Sequence, residues 1–133
     1  MLEETEARRR ILEFASPGAV IWVPLELSLD QVIAQEISSG IDSPLFDNSS
    51  MDGYAVKAAE AATGAKLSVS EIPQAAGGDL GLVLGAGEAI RIFTGAVIPE
   101  GADAVIMQED DERVGETIRL LEGVELGENI RRR

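Results

Sequence analysis

The chain has 133 residues, 24 of them acidic and 11 basic, for a formal net charge of −13. A hydrophobic fraction of 45% supports a buried core in one domain or two small units and argues against disorder. With no cysteine and no histidine, disulfides, thiolate nucleophiles, histidine-dependent triads and the usual zinc sites are excluded. Such an acidic chain also repels a phosphate backbone, so nucleic acid is not an expected partner.

Leu2 to Ala15 reads as a helix. Glu3, Glu4 and Glu6 occupy its first turn, Arg8, Arg9 and Arg10 follow, and Ser16-Pro17-Gly18 stop it. Ala7, Ile11, Leu12 and Phe14 give it only a narrow apolar stripe. The start has no signal-peptide layout and no apolar run reaches membrane-spanning length, so a soluble, cytoplasmic protein with no membrane partner is expected. "AVIWVPLEL", residues 19–27, is β-branched and extended, with Pro24 placing it at a sheet edge or strand end. Ser28 and Gln31 form a capping box between Leu27 and Val32. Leu29, Val32, Ile33 and Ile37 then share one helical face, and Gly40 stops it. Residues 1–42 are expected as a helical arm whose thin stripes must pack on another domain or chain.

From residue 43 the composition changes. "SPLFDNSSMDGYAV", Ser43 to Val56, crowds Asp47, Asn48, Ser49, Ser50, Asp52 and Gly53 between apolar anchors. Turn chemistry explains the residues before Met51 and makes Asp52-Gly53 a hairpin-type dipeptide. The alternative is that Asp52 projects a carboxylate into a cleft, with Ser49 and Ser50 adding hydroxyls; that set suits magnesium or the polar edge of a ligand. "YAVKAAEAATGA" contains a short helical turn. It is followed by the β-type runs "KLSVSEI", "LVLGAGEAIRIFTGA", "ADAVIMQE" and "ETIRLLEGVEL", with turns at Pro99-Glu100-Gly101 and Val114-Gly115-Glu116. The fold class expected is α+β, a short helical arm (1–42) followed by a compact β-rich, barrel- or sandwich-like domain (43–133).

Thr94-Gly95-Ala96 ends a strand with bare backbone at Gly95, where a ligand or a facing chain can come close. Asp103 and Glu109 read as solvated strand ends, and Glu109 to Glu112 as a solvated hairpin end. The final "GENIRRR" reads as an extended basic run without a strand partner, as in a chain cut from something longer; a frayed terminus is the alternative. No phosphate-binding glycine loop or Walker sequence is present.

"PLFDNSSMDGYAV", "GEAIRIFTGAVIPEGADAVIMQED" and "GENIRRR", in this order and spacing, resemble the N-terminal half of the MoeA/gephyrin family of molybdopterin molybdotransferases. "VPLELSLDQVIAQEI" is similar to the family's lead-in, a strand and a capped helix before the signature loop. The resemblance implies a multidomain enzyme of molybdenum cofactor synthesis that inserts molybdate into adenylated molybdopterin and releases AMP, with magnesium assisting. It also implies a homodimer, in which the helical and β-rich domains of one subunit approach the molybdopterin-binding domain of the other.

Carried over by position, Asp52 is the cleft-facing acid and Thr94 the cleft-facing hydroxyl. Asn48, Ser49, Ser50, Gly53 and Gly95 belong to the loops that meet the cofactor. Arg91 either orients an anionic group or closes a strand-end salt bridge. No residue is assigned to a metal, since the resemblance puts the magnesium site in another domain. Ser43 and Leu45 depart from the family's prolines in the lead-in, and in the family the arginines run on into G-E-D and the molybdopterin domain. A chain with only these two regions is expected to be inactive alone. Two other readings stay open: a non-catalytic dimerisation or scaffold module of the gephyrin type, and a stand-alone acidic regulatory protein.

Overall fold

The computed structural model describes residues 2–133 and divides into two units, Met1–Ser39 and Gly40–Arg133. In the first unit the expected helix forms as α1, Glu4–Phe14, with no buried residue. Ion pairs hold its exposed face: Glu6 meets Arg9 at 2.8 Å and Arg10 at 2.7 Å, and Arg9 also meets Glu13. These pairs sit one turn apart, the spacing at which helical side chains face each other.

The rest of the arm departs from expectation. Residues 19–24 form no strand, and Leu25–Leu27 make a single 3-10 turn. The capped helix expected after Ser28 is absent. Ser28 Oγ donates back to the carbonyl of Leu25 at 2.7 Å instead of capping forward. Asp30 has φ 63°, a left-handed conformation that no second residue of a helix can hold. A short helix with one thin stripe needs tertiary packing to persist, and Leu29, Val32, Ile33 and Ile37 are all exposed.

The second unit is built on a six-stranded, strongly curled mixed sheet. Its strands are β2 (Gly53–Val56), β3 (Lys66–Val69), β4 (Glu88–Ile92), β5 (Ala104–Met107), β6 (Asp111–Val114) and β7 (Thr117–Leu120), in the order β5-β2-β4-β3-β7-β6. Only β3 and β4 run parallel. The short strands β1 (Asn48–Ser49) and β8 (Ile130–Arg131) form a second, two-stranded sheet. The terminal run therefore has a strand partner after all, because Asn48 and Ser49 offer it an edge that no other strand takes.

Side-chain alternation sorts the core into two clusters. Tyr54, Val56, Ala89, Ala104 and Ile106 join Leu67, Ile118 and Leu120 on one face. Ala55, Ile90, Ile92 and Val105 pack on the other with Leu84 and Ala96. β5 and β7 are four places apart in the strand order, yet their residues meet in the first cluster; the sheet curls over that face. The expected turn after Tyr54-Ala55-Val56 appears as Ala58–Glu60, and Val114-Gly115-Glu116 joins the β6–β7 hairpin. The acidic run is not a plain hairpin end: Gln108–Asp110 form a 3-10 turn and Asp111 starts β6.

Candidate functional site

The two loops singled out in the sequence meet. Asp52 follows β1 and precedes β2, and Thr94 follows β4; the pairing of Gly53 with Ile92 brings them side by side. The backbone N–H and the hydroxyl of Thr94 both donate to Asp52 Oδ1, each at 2.8 Å. Asp52 Oδ2 has no partner among the described residues. Two donors on one oxygen hold the Asp52 carboxyl below its ordinary value, with a small further pull from the Arg91 charge against the opposing effect of burial. The pair therefore presents an ionised, oriented carboxylate with one free oxygen at an exposed edge.

Behind it the loops are clamped by backbone. Ser49 N–H donates to the carbonyl of Ala96 at 3.0 Å, and Gly95 N–H donates to the carbonyl of Ser49 at 2.8 Å. The facing chain that comes close to Gly95 is thus the protein's own signature loop. Gly95 sits at φ 82°, where a side chain would strain the turn. Asp52-Gly53 is not a hairpin turn, since β2 pairs with β4 and β5 rather than with β1. Gly53 is required for another reason: a Cβ there would lie 1.8 Å from the Ile106 carbonyl oxygen.

The remaining loop residues take distinct places. Ser49 is fully buried and its hydroxyl donates to the carbonyl of Met51 at 2.6 Å. Asn48 is buried, with its amide donating to Phe46 at 3.2 Å and its Oδ1 unpartnered. Ser50 is half-buried and its N–H donates to the carbonyl of Asn129 at 2.9 Å. Of the two serines, Ser49 spends its hydroxyl inside the loop, and Ser50 makes no side-chain hydrogen bond among the described residues. Asp103, expected as solvated, instead accepts the Ala58 N–H at 2.6 Å. Arg91 makes no salt bridge among the described residues; it lies 5.2 Å from the Tyr54 ring centroid and 5.0 Å from that of Phe93, and donates to Gly53 and Gln108.

Sequence reasoning missed how the end of the chain supports this loop. Arg132 donates to Asp47 Oδ2 at 2.6 Å and the Arg133 N–H to Oδ1 at 2.8 Å. These two contacts, backbone first, hold the Asp47 carboxyl below its ordinary value. The available signal was charge: a basic run at the end and an acid beside Asn48. No three acidic residues converge as a cation site among the described residues. Asp52 is one ligand where magnesium asks for near-octahedral oxygen coordination, so these residues do not make a magnesium site on their own.

The sequence matches the family described as "MoeA N-terminal region (domain I and II)" over residues 2–133. The chain belongs to the MoeA N-terminal region family. This MoeA region is 41% identical over 108 residues to "Molybdopterin molybdenumtransferase" of Bacillus subtilis (strain 168), covering 78% of this chain and 25% of that protein. It is 36% identical over 129 residues to the protein of the same name in Staphylococcus aureus (strain Mu50 / ATCC 700699), covering 94% and 31% respectively. It also superposes on the crystal structure of the molybdopterin biosynthesis moeA protein from Pyrococcus horikoshii OT3 with a TM-score of 0.71 and 39% identity, covering 83% of this chain and 30% of that one. The MoeA region thus spans between 25% and 31% of the length of these relatives.

Proposed function

We propose that this chain is the N-terminal portion of a cytoplasmic molybdenum cofactor enzyme that inserts molybdate into adenylated molybdopterin and releases AMP. The observation that carries the reading is the Asp52–Thr94 pair, which joins the two signature loops in one oriented carboxylate. The relatives' name, molybdopterin molybdenumtransferase, supports the reaction class. In this reading the chain supplies one wall of the site. Asp52 offers its free oxygen to the reacting group, Thr94 fixes the carboxylate, and Ser50 adds a hydroxyl. Asn48, Ser49, Gly53 and Gly95 shape the loops from behind. Adenylated molybdopterin, molybdate and magnesium are held chiefly by the rest of the parent protein, so this chain alone is inactive. Transition-state stabilisation needs every group in place at once.

The test is molybdate insertion by the longest natural protein carrying this sequence. Asp52→Asn keeps the shape and removes the charge, and is expected to lower the rate by about 100-fold or more, the scale of losing one oriented electrostatic group. Unchanged activity would return the loop to a purely structural role. Turnover by the 133-residue chain alone would sink the wall reading.

A second reading concerns the arm. Trp22 is 88% and Val32 92% exposed, and Val20, Ile21 and Ile33 accompany them. We propose that this surface packs on a second copy, making the protein a homodimer and giving the scaffold alternative its physical basis. Sedimentation equilibrium should return twice the 14.1 kDa chain mass. A monomer at the highest soluble concentration refutes it.

A further inference from the structure

A second charged site lies on the curled face of the sheet, beyond the Asp52–Thr94 pair. The pairing of Tyr54 with Arg91 and of Arg113 with Ile118 places both arginines on the face that carries Tyr54 and Ile118. Both line a cavity of about 490 Å³, together with Glu71, Glu116 and Ser70. In a chain with 24 acidic residues, Arg9, Arg10, Arg119, Arg132 and Arg133 all have carboxylate partners. Arg8, Arg91, Arg113 and Arg131 have none among the described residues, and of these four Arg91 and Arg113 line the cavity.

Their donors are also held ready. The Arg91 plane is fixed by the Tyr54 and Phe93 rings and by single hydrogen bonds to Gly53 at 3.1 Å and Gln108 at 2.7 Å. Its Nε and one N–H on each terminal nitrogen remain. Arg113 spends only Nε, on the carbonyl of Gly115 at 3.1 Å. Asp111 is close enough to feel both guanidinium charges, yet one of its oxygens is buried without a partner. The protein's own acid therefore does not satisfy them.

We propose that this cavity binds a small phosphomonoester with a hydroxylated body, the phosphate on Arg91 and Arg113 and the hydroxyls on Glu71 and Glu116. Guanidinium groups match phosphate oxygens in paired hydrogen bonds. Carboxylates in the same cavity would repel a bare anion, but they accept hydrogen bonds from sugar hydroxyls. The volume is of small-molecule size, within the range of roughly 300–1,000 Å³ for ligand pockets. A sugar phosphate and a nucleoside monophosphate share this chemistry. The site shares Arg91 with the neighbourhood of Asp52 but does not depend on the transferase reading.

The 133-residue chain is titrated with ribose 5-phosphate, AMP, inorganic phosphate and ribose, following the arginine Nε–Hε signals by NMR. Ribose 5-phosphate is expected to shift Arg91 and Arg113 saturably, at least about tenfold more tightly than phosphate or ribose. AMP binding as ribose 5-phosphate does marks the sugar phosphate as the unit read; tighter AMP binding marks a nucleotide. Arg113→Gln, at an exposed position, should weaken binding about tenfold or more, one lost charged contact, with the melting temperature unchanged. Glu116→Gln should bring ribose 5-phosphate towards inorganic phosphate while leaving phosphate itself no weaker. The proposal is overturned by the absence of saturable shifts, by equal affinity for inorganic phosphate, or by Arg113→Gln binding as the parent chain does.

Discussion

Gly53 and Asp52 are neighbours with opposite duties. Gly53 lets β2 lie against β5, where a Cβ would fall 1.8 Å from the Ile106 carbonyl oxygen. Gly53→Ala should cost on the order of 3 kcal/mol in urea unfolding, the upper range of overpacking. Gly18→Ala, with nothing near the new methyl group, should stay within about 0.5 kcal/mol. Asp52, like Asp47, makes stability depend on pH. Its folded value lies below the ordinary 3.8 because of the two Thr94 donors. The stability it contributes is present in full above pH 3.8 and is lost as pH falls through the lower folded value. Thr94→Val removes one donor, so the Asp52 titration followed by carbon NMR should move up towards 3.8. The stability gap between the two proteins should close as the solution is acidified. A gap that widens on acidification contradicts the hydrogen-bond account.

Among the elements, order follows burial. β2, β4 and β5 carry the residues of both core clusters, and their amides should exchange slowest. Residues 29–37 have neither a helix nor a buried side chain in the single chain and should exchange within the dead time at neutral pH when the protein is dilute enough to be monomeric. Protection there equal to that of β4 would mean a structured helix in solution. The Asp103 carboxylate ties the start of β5 to the Ala58 turn by the 2.6 Å contact. Asp103→Ala leaves that N–H without its acceptor and should cost about 1–2 kcal/mol. Asp103→Asn, which keeps an acceptor, should recover most of it.

For the molecule as a whole, a net charge of −13 means self-repulsion in the folded state. Raising salt from roughly 0.01 M to 0.15 M shortens the screening length from about 30 Å to about 8 Å, so the melting temperature should rise. The few exposed ion pairs weaken at the same time, but each contributes little. A fall in melting temperature over that range would show that the pairs outweigh the repulsion.

The β-rich domain was legible because its strands have local signatures: alternating apolar runs, and glycine or proline turns at Pro99-Glu100-Gly101 and Val114-Gly115-Glu116. Asp52 stood out because its loop is dense in turn formers ahead of an apolar strand, whereas Thr94 was singled out by the resemblance of its T-G-A loop to the family's. The arm misled for the converse reason. Its capping box and stripe are local signals, and a helix that buries nothing does not outlast the left-handed turn at Asp30. Long-range placement left no trace in any short window. The 2.8 Å contacts between Asp52 and Thr94 span 42 residues. Those from Asp47 to the terminal arginines span more than 80. Within the β-rich domain, composition and turn chemistry settle which residues form strands and loops, since those preferences act between near neighbours. Which loops meet, and which arginines are left without acids, depends on how the sheet curls, because only closure of the core brings residues so distant in sequence into contact.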